Sequence, residues 1–102
     1  MTDKNWKALE RRIADMLNTT RTPLSGSNGK QTSSDTLSET YYVEVKYRKK
    51  IPFFTTFKDT VEKAKKENKK PIVVFHEANS KKNIVMLDIE DFLELENITK
   101  SL

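Results

Sequence analysis

The residues best suited to chemistry in this sequence are Glu44 and Lys46, which flank Val45, and Asp35, nine positions before Glu44. Alternate residues of a β-strand lie on one face, so Glu44 and Lys46 would lie about 6.6–7 Å apart along a strand. Asp35, on a preceding strand, could lie beside them across a hairpin. Two carboxylates that converge on one point repel each other unless a cation lies between them. Hard oxygen ligands without His or Cys favour Mg²⁺ or Mn²⁺ as that cation.

Lys46 adds a positive charge to this pair of carboxylates. An ammonium group cannot bind the metal, but it can hold and polarise a water molecule or stabilise charge on a phosphate during attack. The alternative interpretation is that Glu44, Lys46 and Arg48 form the solvated face of an edge strand, where ion pairs contribute little to stability.

The strand that would carry Glu44 and Lys46 is the clearest element in the sequence and covers residues 40–48. Alternation along this strand predicts two faces. One face carries Tyr41, Val43, Val45 and Tyr47, and the other carries Tyr42, Glu44, Lys46 and Arg48. We expect the first face in the core. Tyr42 shares the face of Glu44, and the lining of a substrate groove is one alternative for it. A shorter strand over residues 33–37 would pair with this strand and carry Asp35.

An amphipathic helix is predicted over residues 3–18. Its apolar stripe contains Trp6, Leu9, Ile13 and Leu17, and we expect Trp6 to pack in the core or in a dimer interface. Glu10 lies at the edge of this stripe. A carboxylate at the border of a buried face needs a partner, because an unpaired buried charge is costly.

A polar loop is predicted over residues 18–34, which contain both glycines of the chain together with Arg21 and Lys30. So long a connection is unusual in a small domain. The loop is therefore either functional or partly disordered.

The second half of the chain predicts a helix over residues 57–69, with Thr56 as its N-cap and Asp59 in its first turn. The lysines of this helix are interpreted as a solvated face. Continuous apolar runs over residues 72–75 and 84–87 predict strands that are covered on both faces.

A final short helix is predicted to begin at Asp88 or Glu90 and to bury Phe92, Leu93 and Leu95. The order of elements predicts an α/β fold, a single small domain over residues 1–102 with a central mixed β-sheet flanked by helices. His76, the one histidine, lies at a strand end and is interpreted as structural or exposed.

Composition narrows the classes of function. The absence of cysteine excludes disulfides, thiolate metal sites and cysteine nucleophiles. No apolar run approaches the roughly 20 residues that span a bilayer, so we expect no membrane partner and a cytoplasmic, intracellular protein. A net charge of +4 favours polyanion partners such as nucleic acid.

Ser34-Asp35 followed by Glu44-Val45-Lys46 resembles the motif of the PD-(D/E)XK nuclease superfamily. The arrangement is most similar to archaeal Holliday junction resolvases and related phage or viral nucleases. Glu10 matches the early helical Glu of those proteins, and Arg21-Thr-Pro-Leu-Ser25-Gly26 matches their Ser/Gly/Arg loop. The resemblance covers roughly residues 5–90, with Ser34 in place of the Pro that names the motif.

This resemblance implies a restriction-endonuclease-like fold and a Mg²⁺- or Mn²⁺-dependent DNA endonuclease, one that acts on duplex, branched or junction DNA. It implies Glu10, Asp35 and Glu44 as metal ligands and Lys46 as a further catalytic residue. Such an enzyme has one site per chain and cuts one strand per site, so paired cuts predict a symmetric homodimer.

The DNA contacts expected are Arg21, Ser25, Lys30, Arg48, Lys49 and Lys50, with Ser25 on a phosphate. The same contacts would serve an alternative function, a non-catalytic nucleic-acid-binding module on the same scaffold. The presence of all three signature residues, Asp35, Glu44 and Lys46, favours the enzyme, because a purely binding module has no need for acidic residues that face a polyanion. A structural or partner-binding protein without nucleic acid is the third alternative.

Overall fold

Three helices and three strands make up the part of the chain that the computed structural model describes, which is residues 3–23 and 32–101. In chain order they are helix α1 (Asp3–Met16), strand β1 (Tyr41–Arg48), helix α2 (Phe53–Lys66), strand β2 (Lys70–Glu77), strand β3 (Asn83–Met86) and helix α3 (Ile89–Ser101). Ser25 and Lys30, two of the predicted DNA contacts, lie outside the described residues. None of the helices in the described ranges has the length and apolar content to cross a membrane.

The strands form one sheet in the order β1-β2-β3. Strands β1 and β2 are parallel, with Val45 opposite Val74, whereas β2 and β3 are antiparallel. Helix α2 provides the crossover that a parallel pair requires. The α/β fold with a central mixed sheet is therefore confirmed.

Helix α1 covers one face of the sheet. Leu9 and Ile13 pack against the buried face of β1 and β2, whose core side chains are Val43, Val45, Ile72 and Val74. The predicted division of β1 into two faces is confirmed on this side, because Tyr41 and Tyr47 pack against the same cluster.

Helix α2 covers the opposite face. Phe57 and Met86 pack there against a smaller cluster formed by Ile51, Val73 and Phe75. Strand β2 is covered on both sides, as its continuous apolar run predicts, and it extends beyond the predicted residues 72–75.

The predicted ends of two helices differ from the structure. Helix α1 ends at Met16 because Asn18 adopts a left-handed backbone with φ 57°. Helix α2 begins at Phe53, four residues before the predicted start, because Pro52 holds an extended backbone at its N-cap. Thr56 is therefore not the N-cap, and its N–H donates to the Pro52 carbonyl inside the first turn.

Strand β3 and helix α3 are more exposed than predicted. Ile84 and Val85 are each about half exposed, and β3 lies at an edge of the sheet. Phe92, Leu93 and Leu95 of α3 are 48%, 50% and 42% exposed, so the prediction that they are buried is wrong.

Residues 33–37 do not form the predicted strand, although they run beside β1. A single antiparallel bridge joins Thr36 to Arg21, and the Thr22 N–H donates to the Asp35 carbonyl over 3.1 Å. On the β1 side, several of the bonds are made by side chains instead of by the backbone. The segment is therefore fixed in place without the regular ladder that defines a strand.

Candidate active site

Asp35 is fixed directly to the free edge of β1. Its N–H donates to the Val43 carbonyl over 2.8 Å, and its Oδ2 accepts the Val45 N–H over 2.7 Å. Ser34 takes part as well, because its Oγ accepts the Val43 N–H over 2.8 Å and lies 3.2 Å from the Val43 carbonyl. These bonds place the Asp35 carboxyl group beside the part of β1 that carries Glu44 and Lys46.

A small cleft of about 180 Å³ brings together three of the four predicted catalytic residues, and Glu10 is not part of its lining. Its lining consists of Trp6, Asp35, Glu44, Val45, Lys46, Tyr47 and Arg48. The hairpin-like placement of Asp35 beside Glu44 is thus present, even though the first partner is not a regular strand.

Lys46 and Glu44 form an ion pair inside this cleft. The Lys46 Nζ lies 3.0 Å from the Glu44 Oε1, and the two side chains are 25% and 18% exposed. Partial burial limits screening by solvent, so this pair is more strongly coupled than one on an open strand face. The arrangement differs from the solvated edge strand that the sequence left as an alternative.

Glu10 has a buried cationic partner. The Arg21 Nε donates to the Glu10 Oε1 over 2.6 Å, with the side chains 13% and 4% exposed. The Arg21 Nη2 is also buried and has no hydrogen-bond partner within the described residues. The carboxylate that the helical pattern left without a partner is therefore neutralised by the first basic residue of the following loop.

The electrostatics of Asp35 reflect the crowding of acidic groups. Burial and the charge of Glu44, with a smaller effect from Glu10, raise the pKa of Asp35 to about 7. The Val45 N–H and the charge of Lys46 act in the opposite direction. Carboxyl groups from α1, from the segment before β1 and from β1 itself therefore act on one another at this place.

The donor set suits a hard divalent cation because it consists of carboxylate oxygens. Burial is the largest cause of the raised pKa of Asp35, and the charges of Glu44 and Glu10 raise that pKa further. In the arrangement observed, no three Asp, Glu, His or Cys side chains of the described residues are grouped closely enough to hold a metal ion. Glu10 is turned to Arg21, and Glu44 to Lys46. Metal binding would require these two carboxylates to exchange one cationic partner for another.

The predicted DNA contacts are not all alike in the structure. Arg48, Lys49 and Lys50 are exposed at the end of β1, and Arg48 also lines the cleft. Arg21 instead points to Glu10 and is largely buried.

Two residues near the site have roles that the sequence analysis did not assign. Trp6 lines the cleft beside Asp35 and Glu44 instead of lying in the core. The sequence feature that indicates a place for Trp6 near the acidic residues is its spacing, because Trp6 and Glu10 are four residues apart and share one side of α1. Glu67 accepts hydrogen bonds from the Ser33 N–H over 3.0 Å and from the Thr32 hydroxyl, and no local pattern indicated this contact.

Tyr42 does not line a groove. Its side chain is fully buried, its hydroxyl lies 2.6 Å from the Ser33 Oγ, and burial raises the pKa of the phenol. The reason is that residues 32–34 and the end of α2 cover this part of the β1 face.

A larger cleft of about 710 Å³ lies between α1 and the ends of β2 and β3. His76 lies in its wall, stacks on Tyr47 with ring centroids 5.2 Å apart and contacts the Asn83 Oδ1 through Nδ1. These contacts agree with the structural interpretation of His76. The larger cleft is not the candidate active site, because Asp35, Glu44 and Lys46 line the cleft of about 180 Å³.

Comparison with protein-family models, with curated proteins and with solved structures gives no match for this chain. The resemblance to the PD-(D/E)XK nucleases therefore stays a prediction that rests on the residues and their placement.

Proposed function

We propose that this chain is a metal-dependent endonuclease that hydrolyses phosphodiester bonds in DNA. The observation that carries the proposal is the convergence of Asp35, Glu44 and Lys46 on one cleft, with Glu10 close enough to raise the pKa of Asp35. A solvated strand face would not place three acidic groups and a lysine within mutual electrostatic reach, and perturbed carboxyl groups in a cleft are typical of functional sites.

The chemistry proposed is attack of a water molecule on the phosphorus atom, with cleavage of one phosphorus–oxygen ester bond and release of the alkoxide as an alcohol. A Mg²⁺ or Mn²⁺ ion held by Glu10, Asp35 and Glu44 would neutralise the phosphate and promote deprotonation of the water. Lys46 is proposed to hold the attacking water or a phosphate oxygen through its Nζ, which lies 3.0 Å from Glu44 in the metal-free structure and would be released when a metal ion takes its place there. Asp35 must lose its proton before it can act as a ligand.

DNA binding is proposed to follow the exposed end of β1. Arg48, Lys49 and Lys50 present three positive charges there, and Arg48 borders the cleft itself. Such groups fix the register of a phosphate backbone without reading its sequence. Trp6, on the cleft wall, offers an aromatic surface on which a base could stack.

We also propose a homodimer, formed through the edge strand β3 and the neighbouring helix α3. The exposed apolar side chains on these elements include Ile84, Val85, Ile89, Phe92 and Leu93, each between 48% and 65% exposed. Side chains of this size present on the order of 100 Å² each when half exposed. Together they present about 500 Å², which is more than half of the roughly 800 Å² that each partner contributes to a standard interface. A second copy would cover this surface and supply the second site for paired cuts.

The proposed function is tested by incubating the protein with labelled duplex, flap and four-way junction DNA in Mg²⁺, in Mn²⁺ and in chelator. Cleavage that needs metal and stops with chelator is the expected result. Binding to the same DNA without cleavage under any metal condition would contradict it, and would favour the alternative of a non-catalytic binding module. Cleavage that survives the chelator would contradict the role assigned to the metal.

A further inference from the structure

Glu67, the residue that follows α2, contacts the segment that carries Asp35. Its Oε2 accepts the Ser33 N–H over 3.0 Å and the Ser33 Oγ over 3.2 Å. Its Oε1 accepts the Thr32 hydroxyl and lies 3.4 Å from the Lys69 Nζ. We call Glu67, Thr32 and Ser33 the Glu67 cluster.

The Glu67 cluster is connected to Asp35 by consecutive hydrogen bonds. The Thr32 Oγ1 accepts the Ser34 N–H over 3.0 Å, and the Ser34 Oγ accepts the Val43 N–H over 2.8 Å. The next residue is Asp35, whose own N–H donates to the Val43 carbonyl. Thr32 and Ser34 are 6% and 2% exposed, so these bonds are protected from water.

The negative charge of Glu67 lies at an electrostatically unfavourable place, the C-terminus of α2. A helix C-terminus carries a partial negative charge, so a carboxylate there is unfavourable, and the last turn of α2 is otherwise basic. Hydrogen bonds from Thr32, Ser33 and Lys69 offset this effect, and they hold the pKa of Glu67 below its usual value although burial acts to raise it.

We infer that Glu67 is a positioning residue for the metal site, which it serves by fixing residues 32–34 and so the place of the Asp35 carboxylate. The inference rests on the proposed function for the role of Asp35. Side chains that orient metal ligands without touching the ion commonly change metal affinity or activity by about 10–100-fold when removed. Glu67 would hold the segment at Thr32 and Ser33, whereas β1 holds it at Ser34 and Asp35.

The test compares Glu67→Ala and Glu67→Gln with Glu62→Gln as the matched control. Glu62 lies on α2, is exposed, and pairs with Lys65 at only 3.9 Å. The first measurement is amide hydrogen exchange without metal, read at Asp35 and Val45. The Asp35 N–H is bonded to Val43, and the Val45 N–H is bonded to the Asp35 carboxylate.

The expected result is exchange about tenfold faster or more at Asp35 and Val45 in Glu67→Ala, an intermediate change in Glu67→Gln, and none in Glu62→Gln. In a calorimetric titration with Mn²⁺, the Kd of Glu67→Ala should rise by about 10–100-fold. Its cleavage rate should recover at saturating Mn²⁺, a rescue that a general loss of folding would not give.

Wild-type exchange at both amides in a folded Glu67→Ala protein would overturn the inference, as would an unchanged Mn²⁺ affinity when the wild type binds Mn²⁺. If the wild type binds no Mn²⁺, the proposed function fails instead, and the exchange rates alone decide whether Glu67 positions Asp35. Should Glu67→Ala not fold, Glu67→Gln, which keeps the size of the side chain, decides the test with the same expected direction.

Discussion

The Nε of Arg21 lies 2.6 Å from the Oε1 of Glu10, and the two side chains are nearly buried. In the proposed enzyme, Arg21 and the divalent cation therefore compete for one carboxylate. Removing one partner of a buried ion pair leaves the other charge uncompensated, which costs about 3–5 kcal/mol. The competition can be measured, because a metal ion that binds beside Glu10 would compensate the charge that Arg21 leaves.

Arg21→Ala is expected to lower the melting temperature of the metal-free protein and to increase the stabilisation by Mn²⁺. Thermal unfolding with and without saturating Mn²⁺ measures both effects. Arg12→Ala is the control, because Arg12 is exposed on α1, the helix that carries Glu10. An equal Mn²⁺-induced shift in the wild type and in Arg21→Ala would mean that Glu10 is not a ligand.

The contribution of Asp35 to the stability of the metal-free protein should fall as the pH rises from about 4 to about 7. The pKa of Asp35 is raised from 3.8 to about 7 by burial and by Glu44, so in this window the folded chain binds one proton more than the unfolded chain. The free energy of unfolding then decreases with pH, by up to roughly 4 kcal/mol over the window. Urea unfolding at several pH values provides the measurement.

Asp35→Asn should remove this part of the pH dependence, whereas Asp59→Asn, at an exposed position on α2, should leave it in place. Saturating Mn²⁺ should also weaken it, since a bound cation displaces the proton from Asp35. A pH profile that is the same in Asp35→Asn and the wild type would contradict the assignment of the raised pKa to Asp35.

The sequence predicted that Asp35, Glu44 and Lys46 lie together, and they line one cleft. Glu10, predicted to join them, is not part of that lining and pairs with Arg21. Glu44 and Lys46 share a face because alternation in a strand is strict, and this needs no tertiary information. The sequence could not predict how Asp35 is held. The Ser34 and Asp35 side chains replace backbone bonds to β1, so the segment has strand-like placement without a strand pattern of bonds.

Contacts between residues far apart in sequence, and the position of β3 at the edge of the sheet, account for the other differences between prediction and structure. Glu67 contacts Ser33 across 34 positions of sequence, and no periodic pattern reports such a pair. The apolar run of β3 is typical of a covered strand, but a run of this kind does not indicate whether a strand lies at the centre or the edge of a sheet. For this reason the sequence predicts a buried Val85, which is about half exposed.

Lys46→Ala should reduce the cleavage rate severely, while Lys49→Ala and Lys50→Ala should mainly weaken DNA binding. A positioned charge in a partly dry site contributes an amount comparable to the ~2.7–4 kcal/mol of one oxyanion donor, or about 10²–10³ in rate. Lys46 is half-buried beside Glu44, whereas Lys49 and Lys50 are exposed. Single-turnover cleavage at saturating protein separates the two effects. If all three variants cleave at the wild-type rate under these conditions, Lys46 is only another contact to the DNA backbone.

DNA binding should weaken steeply with salt, because lysine and arginine release counterions from the phosphates that they neutralise. With about four to six phosphate contacts per chain, the slope of log K against log salt should be roughly −4 to −5. Lys50→Ala should lower the magnitude of the slope by about 1 at every DNA sequence tested. A nearly flat salt dependence would indicate that DNA is not the partner.

The most direct test of the account is to measure cleavage and DNA binding together for the wild type and for Asp35→Asn in Mg²⁺. This substitution keeps the size of the side chain, removes one metal ligand and removes one negative charge from the cleft. Cleavage should be abolished, and binding of the same DNA should be preserved or strengthened because repulsion of the phosphate is lower. Wild-type cleavage by Asp35→Asn, or a parallel loss of cleavage and binding in a folded protein, would contradict the proposal that Asp35 is a metal ligand of a nuclease.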